Sequence, residues 1–221
     1  MATRNQIINM SLSHLGVPAV SDTILDDEDS TNPSRVQSNL WIEQARDEVL
    51  SAYPWTFATI RQFLDKKTFY SVSEDAFLND WLYAFQYPEY CIQIQYITDV
   101  STSSTTKKIT STPFTVEQNP DLVTTESERI LLCNLPDAVA IFTTNNFDWE
   151  DLPPHFIQPF TVLLGSYLAY PLTKDLELKA QLGRLYGNTL SYYTAQDANQ
   201  VVSKDPQESV AIQAREGYHY Y

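Results

Sequence analysis

The spacing of apolar residues changes twice along this chain, and that change constrains the fold more than any single motif. Near the start, Ile7, Ile8, Leu12 and Leu15 recur at helical spacing. They predict a helix over about 3–15, capped by Gly16 and stopped by Pro18. Residues 21–32, rich in Asp and Glu, read as a loop. Thr31 or Asn32 then caps a second helix with Pro33 in its first turn. Val36, Leu40, Ala45, Val49, Ala52 and Tyr53 give that helix an apolar side, and Pro54 ends it. From Trp55 the pattern is different. Ile92–Ile97 alternates apolar and polar residues, as a half-buried strand does, and Phe114–Glu117, Arg129–Cys133 and Ala138–Thr144 read as further strands. The Ser/Thr run 101–106 and residues 118–121 read as polar connections. After Asp148 helical spacing returns. Pro153 and Pro154 open a helix that is apolar around most of its girth, through Phe156, Phe160, Leu163, Leu164, Tyr167 and Leu168. A turn over Pro171–Asp175 leads to a last helix, about 175–198, striped by Leu178, Leu182, Leu185, Tyr186, Thr189 and Tyr193.

These segments predict an α+β chain. An antiparallel helical bundle is built from both ends (1–55 and 150–199), with a small, mostly antiparallel β-sheet inserted between them (56–149). Residues 200–221 carry scattered charges, Pro206 and an aromatic end, and no pattern from which a core can be built, so they are expected to form an extended C-terminal tail. No repeat of 20–50 residues indicates a solenoid.

Charge narrows the partners. There are 28 acidic against 14 basic residues, a net charge of −14, and Lys66-Lys67 and Lys107-Lys108 are isolated pairs. Such a surface disfavours conventional DNA binding. The residue types of common active sites are scattered. The five glycines form neither a Walker loop nor a dinucleotide fingerprint. His14, His155 and His219 lack metal-ligand spacing, and His14 is expected on the surface. Residues 26–29 lack the alternation and glycine of a calcium loop. Cys91 and Cys133 sit in strand-like sequence and are expected as buried free thiols. The expectation is a non-enzymatic protein with no cofactor, no metal and no membrane span. Aromatic residues make up 13% of the chain, with 14 tyrosines, a composition that suits protein interfaces.

The order of landmarks carries a resemblance. Leu12-Ser13-His14-Leu15-Gly16-Val17-Pro18-Ala19-Val20 comes first, then Pro54-Trp55-Thr56-Phe57-Ala58, then Trp81-Leu82-Tyr83-Ala84-Phe85-Gln86-Tyr87-Pro88, then a sheet, then Leu152-Pro153-Pro154-His155-Phe156 before the final helix pair. Over residues 3–198 this resembles the tail tubular protein A family, the head-to-tail adaptors of short-tailed bacteriophages. The resemblance implies a virion neck protein assembled in the host cytoplasm. It implies a homo-oligomeric ring, commonly of twelve copies, docked beneath the portal protein. The ring meets the nozzle or another tail protein at its outer end, and double-stranded DNA passes transiently and non-specifically through its centre. The family brings no catalytic residues.

Two sets of residues are expected to make contacts. Trp81, Tyr83, Phe85, Tyr87 and Tyr90 concentrate aromatics that one small fold has difficulty burying, which points to a subunit interface. Tyr218, Tyr220 and Tyr221 end the tail and are expected to reach the portal. Three rival readings remain open: another neck or tail component (a stopper or the nozzle), a soluble binding protein that acts as a monomer or dimer, and an enzyme whose site is assembled from carboxylates distant in sequence.

Overall fold

A computed structural model describes residues 2–67, 81–99, 111–118 and 129–200. The described chain is α+β, with five α-helices and six strands in two antiparallel three-stranded sheets. The helices are α1 (Arg4–Ser13), α2 (Asp22–Asp26), α3 (Pro33–Ala52), α4 (Pro154–Thr173) and α5 (Leu176–Ala198). The strands are β1 (Thr59–Phe63), β2 (Tyr83–Gln86), β3 (Cys91–Asp99), β4 (Phe114–Gln118), β5 (Arg129–Cys133) and β6 (Ala138–Thr144).

Local chemistry sets the helix ends. Thr3 and Gln6 form a capping box on α1. Gly16, at φ 68°, lets the chain turn back, with Gly16 N–H on the Ser13 carbonyl and Val17 N–H on the Leu12 carbonyl. Asn32 caps α3, its side-chain oxygen accepting from Ser34 N and Arg35 N, with Pro33 in the first turn. Asp175 caps α5 by accepting from Leu178 N.

Helices from both ends of the chain share one core. Ile7, Ile8 and Leu12 of α1, Ile42, Ala45 and Val49 of α3, and Phe156, Phe160 and Leu164 of α4 are fully enclosed in it. Helix α1 crosses α4 closely at Gly165: a Cβ there would lie in van der Waals contact with the Ser11 carbonyl oxygen, at 3.4 Å. Trp55, at the end of α3, completes the core. Its indole N–H donates to the Val49 carbonyl (2.8 Å), and its ring meets Phe156 edge-on at 5.2 Å.

The strand-rich part has a second core. One sheet has the order β1-β6-β3 and the other β2-β5-β4. Phe85, Leu131 and Cys133 from the second sheet pack with Ile94, Ile97, Ala140 and Phe142 from the first. The Gln95 amide donates to Thr59 Oγ1 and Thr143 Oγ1, tying the three strands of the first sheet across one face.

The structure departs from the sequence expectations at several points. The single small sheet is two sheets, because β1 and β2, short and without alternation of their own, are defined by their partners β6 and β5. The acidic stretch 21–32 contains the one-turn helix α2, held by buried Leu25. The α3 stripe holds in part: Ala45 and Val49 face inward, together with Ser34, Arg35, Ser38, Ile42 and Leu50, whereas Val36, Leu40 and Ala52 are exposed. The Arg35 guanidinium reaches back to the Ser30 carbonyl, and Arg4 donates to Asn39. Pro171 lies within α4 and not in a turn; the reversal falls at Lys174, in a left-handed conformation at φ 60°. His14 is half-buried and not on the surface: its Nε2 lies 3.4 Å from Thr161 Oγ1 of α4, and burial lowers its pKa. Residues 101–106 and 119–121, and the tail from residue 201, lie outside the described residues.

Candidate assembly surface

The segment from Trp81 to Tyr90 divides into inward and outward residues. Strand alternation and the pairing of β2 with β5 aim Phe85 into the second core, where it is fully enclosed by its own chain. Phe85 therefore offers no surface to a neighbour, and as a direct interface residue it is corrected to a core residue. Trp81 is half-buried against Ala84, Ile130 and Leu132. Tyr83 is half-buried and carries the Lys66 ammonium 5.2 Å above its ring. The Tyr87 ring lies under the Arg129 guanidinium at 4.2 Å, and its phenol oxygen accepts from the Cys91 thiol at 3.3 Å. Burial and that thiol raise the phenol's pKa well above its ordinary value. Burial likewise raises both thiols, Cys91 and Cys133, which are free and buried.

Tyr90 is different. It ends the turn between β2 and β3 at φ 56°, with its carbonyl fixed by Asn145 N–H at 3.1 Å, and its side chain is 60% exposed. A bulky residue in the left-handed region is strained. Here no burial offsets the strain. Beside it opens a cleft of about 400 Å³ that Tyr90 lines together with Ile60, Gln62, Tyr87 and Phe142. Its wall includes β1, a strand at a sheet edge that exposes Ile60 (39%) and Phe63 (65%). An edge strand with outward apolar side chains invites pairing with another chain. Ile60 and Phe63 were absent from the sequence-derived set, since Thr59–Phe63 has too short a pattern to announce a strand. Tyr218, Tyr220 and Tyr221 lie outside the described residues.

A second polar constellation sits where the two ends of the helical core meet. Asp197, fully buried in the last turn of α5, accepts from Thr56 Oγ1 (2.7 Å), Thr56 N (3.0 Å) and His155 Nε2 (3.0 Å). Hydroxyl and imidazole both face the carboxylate and not each other, so this arrangement does not activate Thr56 as a nucleophile. It clips α5 to the start of α4 and to the Pro54–Ala58 landmark.

Among the described residues no group of three or more His, Cys, Asp and Glu side chains is arranged to hold a metal, and no helix is long and apolar enough to cross a membrane. No protein-family model matches the chain, and no curated protein matches its sequence.

Proposed function

We propose that this protein is a structural virion component: a ring-shaped head-to-tail adaptor that joins the portal to the tail nozzle of a short-tailed bacteriophage and leaves a central channel for the genome. In this reading the helices of both chain ends form one antiparallel bundle, residues 56–149 are an insertion, and residues 200–221 extend as a tail whose Tyr218, Tyr220 and Tyr221 reach the portal. The ring has twelve copies, and the protein is not an enzyme and needs no cofactor.

The observation that carries self-assembly is Tyr90. An exposed aromatic held in a strained backbone, beside an edge strand with outward Ile60 and Phe63, is best explained by a contact outside the chain. Trp81, Tyr83 and Tyr87 flank that surface. The identity of the assembly rests on the landmark order from Leu12 to Phe156 that resembles the adaptor family. Acidity supports the channel: twelve chains of −14 bring a ring charge of about −170, and a lumen lined by part of it would repel phosphate, so DNA would slide without adhering.

The test is mass by light scattering, on the protein alone and after mixing with purified portal rings. A 25.3 kDa monomer that joins the portal in many copies supports the adaptor. A monomer that ignores the portal favours a more distal stopper or nozzle component, or a soluble binding protein outside the virion.

A further inference from the structure

The cleft of about 400 Å³ beside Tyr90 opens where the chain changes sheets. Leu64 N–H still bonds the Ala138 carbonyl of β6 (3.0 Å), but the next carbonyl, that of Asp65, accepts from Gln86 N–H of β2 (2.9 Å). The chain therefore leaves the first sheet for the second just after β1. At that bend two carboxylates, Asp65 and Glu89, line the cleft together with Gln62 and Gln86, and no lysine or arginine does. Neither carboxylate has an ion-pair partner among the described residues.

The reverse of the same strand has the complementary chemistry. Ile60 and Gln62 line the cleft, so alternation sends Arg61 and Phe63 to the other face of β1. Both are exposed, Phe63 by 65%, and Arg61 has no ion-pair partner among the described residues. Lys179 and Arg184 of α5 are also exposed cations without an ion-pair partner there, but neither has an exposed aromatic within four positions. On β1 the cation and the ring stand side by side, about 7 Å apart along one strand face. In the cleft an exposed tyrosine stands beside two carboxylates. Each surface supplies what the other lacks: a guanidinium for the acids, and a ring for the ring.

We infer that the Arg61–Phe63 face of one copy seats in the acidic cleft of the next, with the Arg61 guanidinium at Asp65 and Glu89 and the Phe63 ring against Tyr90. The inference rests on the reading of the chain as self-assembling, and it names the two surfaces that meet. They are opposite sides of one strand, so the contact is head-to-tail. Each copy gives one face and receives another, and the association closes into a ring or continues as a filament. The ion pair lies beneath the two rings, where salt screens it little, so the contact persists in salt that screens the net charge of −14.

Sedimentation of the full chain at about 1 M salt, where the screening length is near 3 Å, tests this contact. Wild type is expected to form species larger than two chains of 25.3 kDa. Arg61→Glu and Glu89→Arg are each expected to stay monomeric. An equimolar mixture of the two is expected to regain association, because every junction between them again pairs opposite charges at positions 61 and 89. That recovery also shows that both variants fold. Association of either variant alone at wild-type strength overturns the proposal, as does a mixture that stays monomeric while wild type associates. Wild-type association that stops at two chains overturns the head-to-tail arrangement. A wild-type chain that stays monomeric overturns the contact too, while its binding to portal rings, measured separately, still decides the adaptor reading.

Discussion

Tyr90 and the tyrosines of the helical core show what one residue can carry. Replacing Tyr90 by glycine removes the Cβ that makes φ 56° costly, so the isolated chain is expected to gain on the order of 1 kcal/mol in chemical denaturation. The same substitution removes the exposed ring, and assembly onto the portal is expected to weaken. A variant that is both less stable and fully competent to assemble would sink the interface role. Deeper in the fold, the Tyr167 hydroxyl donates to Glu48 and so joins α4 to α3. Burial first, and then the Glu48 carboxylate, push the Tyr186 phenol up to about 12, and Tyr167 is raised further by the same causes. Unfolded tyrosine ionises near pH 10, so between about pH 10 and 12 the unfolded chain releases protons that the folded chain keeps. Stability is thus present below pH 10 and lost as the pH rises toward 12. The urea midpoint is expected to fall between about pH 9 and pH 11, and to fall less in Tyr186→Phe. An equal fall in both proteins would remove Tyr186 as a cause.

At the scale of elements, α4 and α5 are similar in length and opposite in burial. Twelve residues of α4 are buried, against two of α5, Leu182 and Asp197. Leu176, Leu185 and Tyr192 of α5 are exposed. The C-terminal end of α5 therefore depends on the Asp197 clip to Thr56 and His155. Replacing Asp197 by alanine leaves the Thr56 N–H and hydroxyl and the His155 ring without their acceptor, at a cost of about 2–4 kcal/mol. Hydrogen exchange is expected to accelerate in the last turns of α5 well before α4 is affected, since beyond the half-buried Leu190 and Tyr193 the clip is the buried contact at that end among the described residues. Uniform acceleration across both helices would mean that α5 unfolds only with the whole core.

The elements that sequence reveals and those it conceals differ for the same physical reason. Helices α1 and α4 and strands β3, β5 and β6 bury enough of their own side chains to impose a period, and α5 shows one through buried Leu182 and the half-buried Leu178, Tyr186, Leu190 and Tyr193. Strand β1 buries almost nothing and β2 has four residues, so both exist through their partners. In α3 the apolar residues do not lie on one face: Ala45 and Val49 of the expected stripe are buried with Ile42 and Leu50, while Val36 and Leu40 are exposed. The candidate surface was half legible. Aromatic density marked the Trp81–Tyr90 segment, but alternation sent Phe85 inward, and the strain at Tyr90 cannot be read from a residue type that seldom occupies the left-handed region.

Over the whole molecule, the exposed apolar surface at Ile60, Phe63 and Tyr90 is opposed by charge. Each copy carries −14, so two copies repel before their apolar surfaces meet. At about 0.01 M salt the screening length is near 30 Å and the repulsion spans the subunit; at about 1 M it is near 3 Å and only contacts matter. Apolar burial is not weakened by such screening. The free chain is therefore expected to sediment as a monomer at low salt and to self-associate as salt rises. Phe63→Lys, which places a charge on the outward side of β1, is expected to suppress that association without unfolding the chain, because Phe63 is 65% exposed. Association that instead weakens with salt would show that opposite charges hold the copies together, and would move the interface away from β1 and Tyr90. Under the proposed adaptor reading, a chain that repels itself until its charge is screened or neutralised would stay unassembled until a preformed ring held copies side by side.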